Sequence, residues 1–72
     1  MTLVTHLTER RKAAGLTQSR LAEKVGVSRK TINTVENRVF VPSTTLALKL
    51  ARELGCSVHD LFELPDEPEA KQ

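Results

Sequence analysis

The side chains best suited to chemistry in this chain are polar groups at helical spacing. They are Arg29, Lys30, Asn33, Thr34 and Asn37. Because these positions lie three or four residues apart, they share one face of a helix. The face is rich in hydrogen-bond donors, carries two cations and contains no Asp or Glu. Such a surface suits an anionic partner that offers hydrogen-bond acceptors.

The charge of the chain is distributed unevenly. Residues 1–59 contain ten Lys or Arg against four Asp or Glu, whereas residues 60–72 contain five acids and Lys71 as their only cation. This split favours a polyanion as the partner of the basic part, although soluble domains of other kinds show similar splits. We expect one domain over residues 1–64, followed by an acidic, disordered tail over residues 65–72.

The apolar pattern predicts an all-α fold, a compact bundle of about five short helices. The expected helices cover residues 3–14, 18–25, 29–37, 44–54 and 58–62. Three of them are followed by a glycine, and four are preceded by the capping hydroxyls of Thr17, Ser28, Ser43 and Ser57. No convincing strand is visible, and the only β-like stretch, residues 39–41, is too short to pair by itself.

Residues 17–37 form the pattern helix, tight turn, helix. Ala22 is small enough for two helix axes to approach, and Gly26 lets the backbone reverse. The apolar residues expected to fix the angle between the two helices are Leu21, Ala22, Val25, Val27, Ile32 and Val35.

The run LTQSRLAEKVGVSRKTINTVEN, followed by PSTTLALKLARELGCSVHDLF, resembles the Cro/lambda-repressor-type helix-turn-helix family, often called the Xre family. The resemblance spans roughly residues 7–62 and therefore concerns a whole domain. It implies a lambda-repressor-like DNA-binding domain whose third helix enters the major groove while the second lies across the backbone.

The resemblance also implies two sets of DNA contacts. Base edges would be read by Ser28, Arg29, Lys30, Asn33 and Thr34. Phosphates would be contacted by Gln18, Arg11, Thr31, Asn37 and Arg38. Arg and Lys can pair with guanine, and Asn can pair with adenine. A basic residue at the position of Arg11 often pairs with the acid matching Glu36, so we expect this ion pair, which is compatible with a phosphate contact.

Two positions depart from the family pattern. Arg38 stands where relatives commonly have glycine, so either Arg38 or Asn37 must adopt the left-handed conformation. Arg20 stands where many relatives have a glutamate that completes a capping box with Thr17. Neither departure affects the apolar residues between the two helices.

The C-terminal apolar segment has two interpretations. It either completes the core of one chain or forms a two-fold dimer contact, and the family resemblance together with the small core favours the dimer. The expected contact residues are Cys56, Val58, Leu61, Phe62 and Leu64. Leu46 and Leu48 flank the apolar stripe of the fourth helix, and we expect both to be partly exposed.

Other classes of site have little support. Cys56 and His59 have a C-x-x-H ligand spacing with Asp60 beside them, but only one such pair exists, so we expect no metal and no cofactor. No nucleophile and base, paired carboxylates or glycine-rich phosphate loop is present, so an enzyme is not expected. No signal segment or membrane span is visible, which predicts a cytoplasmic protein with no membrane partner.

These observations predict a homodimeric, sequence-specific transcriptional regulator. We expect it to bind double-stranded DNA at a palindromic operator and to act as a repressor. The alternative is an antitoxin or another protein-interaction module that also binds DNA, an interpretation motivated by the acidic tail. RNA is a weaker choice, because only Phe40 and Phe62 are aromatic.

Overall fold

A computed structural model describes residues 3–65 of the chain. The elements follow one another as β1 (Val4–Thr5), α1 (Leu7–Ala13), α2 (Gln18–Val25), α3 (Arg29–Glu36), α4 (Thr44–Leu54), α5 (Val58–Leu61) and β2 (Phe62–Glu63). The predicted all-α bundle of five short helices is confirmed, with one small strand pair added to it. Most of the predicted acidic tail, residues 66–72, lies outside the described residues.

Side-chain caps set where the helices begin. The hydroxyls of Thr17, Ser28, Ser43 and Ser57 each accept a hydrogen bond from the backbone N–H three residues later. Each of these residues has an extended backbone, so the hydroxyl satisfies an N–H that has no partner inside the helix. Four of the five helix starts were therefore predictable from single residues.

The first helix begins later than predicted. It starts at Leu7, not at residue 3, because β1 pairs with β2 in an antiparallel ladder. The ladder continues into His6, whose N–H donates to the Leu61 carbonyl at 2.7 Å. The imidazole Nε2 of His6 also lies 2.6 Å from a carboxylate oxygen of Glu63. The two ends of the domain are therefore held together by backbone and side-chain contacts.

One apolar cluster joins all five helices and β2. Its buried members are Leu7, Leu21, Ala22, Val25, Ile32, Val35, Leu46, Ala47, Leu50, Ala51, Leu61 and Phe62. The prediction for Leu46 was wrong, because this side chain is only 7% exposed, whereas Leu48 is 56% exposed as expected. Helix α4 therefore buries a wider stripe than its sequence pattern indicated.

The structure corrects part of the predicted dimer contact. Leu61 is fully buried within a single chain and is not available to a second copy, whereas Phe62 keeps only a 6% exposed edge. Cys56 and Val58 are half-buried against the same core, and Leu64 is 72% exposed. Completing the core of one chain, which was the alternative interpretation, is the role of Leu61 and Phe62.

Candidate nucleic-acid interface

The turn between α2 and α3 has the geometry that the sequence predicted. Gly26 adopts a left-handed φ of 79°, and its N–H donates to the Ala22 carbonyl at 2.9 Å. The N–H of Val27 donates to the same carbonyl at 3.0 Å. Ser28 then begins α3 by accepting a hydrogen bond from the Thr31 N–H. The chain thus reverses within three residues and starts a new helix at once.

The angle between the two helices is held by buried apolar side chains. The predicted residues Leu21, Ala22, Val25, Ile32 and Val35 are all buried, and Val27 packs partly buried against them. Because these residues occupy the inner faces of α2 and α3, the outer face of α3 is left to polar side chains. The packing therefore determines which side chains α3 presents to a partner.

The outer face of α3 is open, cationic and free of exposed acids. Ser28, Arg29 and Lys30 are exposed, while Thr31, Asn33 and Thr34 are half-buried along the same helix. Neither Arg29 nor Lys30 forms an ion pair with any residue between positions 3 and 65. Both cations are therefore available to an external anion.

The predicted ion pair between Arg11 and Glu36 is confirmed. Arg11 Nε donates to Glu36 Oε2 at 2.6 Å, and Arg11 Nη2 lies 3.3 Å from Oε1. The two side chains are only 11% and 5% exposed, and Arg11 Nη1 also donates to the Leu16 carbonyl at 2.9 Å. All three guanidinium nitrogens are thus occupied within the domain, so Arg11 ties α1 to α3.

The Glu36 carboxylate remains ionised despite its burial. Burial alone would raise the pKa of Glu36, but the hydrogen bonds from Arg11, Gln18 and Thr8, together with the charge of Arg11, outweigh that effect. The pKa of Glu36 is therefore held below its ordinary value. The acid on α3 is neutralised internally and adds no negative charge to the outer face.

A chain of amide contacts runs from this carboxylate to the outer face. Gln18 Nε2 donates to Glu36 Oε1 at 2.9 Å, and Gln18 Oε1 accepts a long hydrogen bond from Asn33 Nδ2 at 3.4 Å. Asn33 Oδ1 in turn accepts from Asn37 Nδ2 at 3.0 Å. The residue predicted to contact phosphate, Gln18, is thereby connected to a predicted base reader, Asn33. No sequence pattern predicted this connection.

The structure decides between the two alternatives for the end of α3. Arg38 takes the left-handed conformation with a φ of 62°, while Asn37 keeps a φ of −89°. The side chain of Arg38 is exposed at the edge of the polar face. An arginine here therefore carries the backbone strain that glycine would avoid, and it places a cation just past α3.

The loop after α3 has an exposed apolar surface. Val39, Phe40 and Val41 are 76%, 47% and 64% exposed. The signal that pointed to them was the run of three large apolar residues between Arg38 and Pro42. Phe62, the other aromatic residue, is buried in the core.

Other kinds of site are sparse in the part of the chain that the structure describes. Between residues 3 and 65, no three His, Cys, Asp or Glu side chains lie close enough together to hold a metal ion. Asp60, beside the C-x-x-H pair, instead accepts a hydrogen bond from the Ser57 N–H at 3.0 Å. No helix in this part is long and apolar enough to cross a membrane.

Comparison with known proteins identifies relatives of the whole domain. The model of the family described as helix-turn-helix matches residues 7–61. An HTH-type transcriptional regulator from Methanothermobacter thermautotrophicus is 48% identical over 68 residues, which cover 93% of this chain and 97% of that protein.

Solved structures share the fold. SinR, the master regulator of biofilm formation, solved in complex with DNA, has a TM-score of 0.69 at 33% identity and covers 74% of this chain and 86% of its own. The complex of the SinR and SinI proteins contains a chain that matches with a TM-score of 0.71 at 33% identity. The match covers 88% of this chain and 59% of that chain. SinR of Bacillus subtilis carries its DNA-binding domain at the N-terminus.

Proposed function

Because the chain belongs to the helix-turn-helix family of transcriptional regulators, we propose that it is a sequence-specific repressor that binds a palindromic operator as a homodimer. The single observation that carries the proposal is the outer face of α3, which combines exposed cations and amides with no exposed acid. Double-stranded DNA in the cytoplasm is the corresponding partner, since its major groove offers acceptors on base edges beside a line of phosphates.

The side chains of this face divide into base readers and phosphate contacts. We assign base reading to Ser28, Arg29, Lys30, Asn33 and Thr34, and phosphate contacts to Gln18, Thr31, Asn37 and Arg38. One N–H of the Gln18 side-chain amide donates to Glu36, and the other N–H would donate to a phosphate oxygen. Arg11 is also assigned to the phosphate contacts, because its hydrogen bonds to Glu36 and Leu16 use three of its five N–H groups.

The DNA-binding proposal is tested by selecting duplexes from a random pool and titrating the selected site by fluorescence anisotropy. Replacing Arg29 or Lys30 by alanine is expected to cost about 1–3 kcal/mol on that site and to relax the base preference. Gln18→Ala is expected to weaken binding to all duplexes alike. Arg52→Ala is the matched control, because it removes an exposed cation from α4 and should leave binding nearly unchanged. Absence of any selected sequence would contradict the proposal.

For the homodimer, the supporting feature is an apolar face formed by α4, α5 and the strand pair. Leu48 and Leu64 are exposed, and Leu48 lines a groove together with Leu3, Val58 and the small exposed edge of Phe62. Continuing the register of β1 and β2 sets Leu64 opposite Leu3. A domain of this size has a small core, so covering such a face with a second copy would add stability.

The dimer is tested by sedimentation velocity without DNA. Leu48→Glu is expected to shift the protein towards monomer, because a buried carboxylate would oppose association. Thr45→Glu adds the same charge to an exposed position of the same helix and should leave the dimer intact. A promoter carrying the selected site and driving a reporter then tests repression, with the Leu48→Glu variant expected to repress poorly.

A protein-interaction module that also binds DNA is the second candidate. It is supported by the fold shared with the SinR–SinI complex, in which a helix-turn-helix regulator is bound to another protein. Co-purification from the source cells distinguishes the two candidates. A stoichiometric second protein that prevents DNA binding would favour this module, whereas a homodimer that binds DNA favours the repressor.

A further inference from the structure

The loop after α3 is folded back onto the helix that carries the proposed base readers. The left-handed Arg38 reverses the chain, and the N–H groups of Val39 and Phe40 then both donate to the Thr34 carbonyl, at 2.9 and 3.2 Å. The loop backbone is therefore attached to the last turn of α3. Its side chains have a defined position beside the polar face.

A shallow depression lies between this loop and α3. It is lined by Ser28, Lys30, Thr31, Thr34, Val39 and Phe40. One wall is thus apolar and comes from the loop, while the other is polar and comes from α3 and its N-cap Ser28. No carboxylate lines it. Two large side chains that remain exposed at such a place indicate a surface that another molecule covers.

The composition of the depression favours DNA over protein as that molecule. A protein covering Val39 and Phe40 would have to supply an acid of its own for the ammonium of Lys30, because no carboxylate lines the depression. DNA supplies both complements, because phosphates pair with the cations and the thymine methyl group is the apolar feature of the major groove. The depression is also continuous with the face already assigned to DNA.

We propose that Phe40, supported by Val39, is a specificity-determining residue that packs against a thymine methyl group at the edge of the sequence read by α3. The inference rests on the proposed function, since it assumes that α3 lies in the major groove. It adds an apolar contact to a readout otherwise made of hydrogen bonds, and it predicts a thymine at a particular position of the operator.

The experiment uses the full chain and the duplex selected by the wild-type protein. Each thymine is replaced in turn by deoxyuridine, which removes only the methyl group, and dissociation constants are measured for the wild type and Phe40→Ala. We expect one replacement per half-site to weaken wild-type binding about fourfold, the equivalent of burying one methyl group. The same replacement should leave the affinity of Phe40→Ala unchanged, and Phe40→Leu should restore part of the methyl dependence.

Val41→Ala is the matched control, because Val41 is also apolar and exposed in the same loop but does not line the depression. It should keep the full methyl dependence. Methyl effects that are absent, or identical in the wild type and Phe40→Ala, overturn the inference while leaving the proposed function in place. The inference is also overturned if Phe40→Ala binds DNA normally but sediments as a monomer, because the ring would then belong to a protein contact. A wild-type protein that selects no duplex overturns both proposals.

Discussion

At the scale of single residues, Arg38 is the clearest conflict between local conformation and charge. A non-glycine residue at a φ of 62° carries a steric penalty of about 1–2 kcal/mol. A glycine there would avoid this penalty, but it would lose part of the gain because it gives up more conformational entropy on folding. The side chain is exposed and forms no ion pair with residues 3–65, so the folded domain gains from its charge at most a weak attraction to the C-terminus of α3. A cation beside DNA is the reason we infer for its presence.

We therefore predict opposite effects of Arg38→Gly on folding and on binding. The free energy of unfolding should rise by about 0.5–1 kcal/mol, because the left-handed strain is removed. Affinity for the selected duplex should fall, because a cation is lost. Arg38→Ala is the control, since it loses the same cation but keeps the strain. Urea denaturation and anisotropy measure the two effects, and equal stabilities of the two variants would contradict the explanation.

Glu36 makes the stability of the domain depend on pH. Its folded-state pKa lies below the ordinary value of 4.5, so as the pH falls the unfolded chain takes up this proton first. The stabilisation from the carboxylate is therefore complete above about pH 4.5 and is lost as the pH falls through the lower, folded-state pKa. At neutral pH, removing one member of a buried pair costs about 3 kcal/mol.

Glu36→Gln tests this assignment. The difference in unfolding free energy between the wild type and the variant should be largest near neutral pH and should shrink steadily below pH 4.5. The pKa of Asp60 is also lowered, by hydrogen bonds from Ser57, but that carboxylate is present in both proteins and cancels in the difference. A difference that stays constant from pH 7 to pH 3 would show that Glu36 acts through packing alone.

At the scale of elements, the turn between α2 and α3 depends on backbone conformation more than on space. Gly26 and Gly55 both have left-handed φ values, of 79° and 68°, and a Cβ added at either would meet no atom within 4 Å. Gly26→Ala and Gly55→Ala should therefore each cost about 1–2 kcal/mol of stability. Because nothing clashes, Gly26→Ala should keep the helix angle and bind DNA within about twofold of the Gly55→Ala control. A selective loss of binding would show that the turn has no room for a side chain.

The elements differ in how far the sequence could predict them. The bounds of α2 and α4 agree with prediction at both ends, because each is enclosed by a capping hydroxyl and a left-handed glycine. The pairing of β1 with β2 was not predictable, since each strand has two residues and the partners lie at opposite ends of the chain. Such a ladder forms only because the packed helices bring the two strands together, and no local sequence pattern predicts that.

The candidate site also combines features that the sequence could predict with features that it could not. The polar face of α3 and the pair between Arg11 and Glu36 were predictable, because helical spacing and the family resemblance locate them. The contact of Gln18 with Asn33 was not, since it depends on side-chain positions across the turn. The conformation of the loop around Phe40 was likewise not predictable, because it depends on whether Asn37 or Arg38 takes the left-handed conformation.

At the scale of the whole molecule, the cations fall into two groups. Arg10, Arg20 and Lys24 each lie near a carboxylate, of Asp60, Glu23 and Glu53 respectively. Among the cations without such a neighbour within residues 3–65, Arg29, Lys30 and Arg38 cluster on and just after α3, whereas Lys12, Lys49 and Arg52 lie on α1 and α4. The proposed DNA interface therefore groups three unpaired cations within one short stretch of the chain, although the net charge of the chain is only +2.

This concentration predicts the salt dependence of binding. If each unpaired cation on and after α3 displaces one counterion, a dimer on a palindrome should show a slope of about −5 for log K against log salt, and a monomer about −3. Arg38→Ala should make the slope of a dimer shallower by about 2, because both copies lose the cation. Arg52→Ala, which removes an exposed cation from α4, should leave the slope unchanged. Equal changes for the two variants would mean that net charge, and not the face of α3, attracts the DNA.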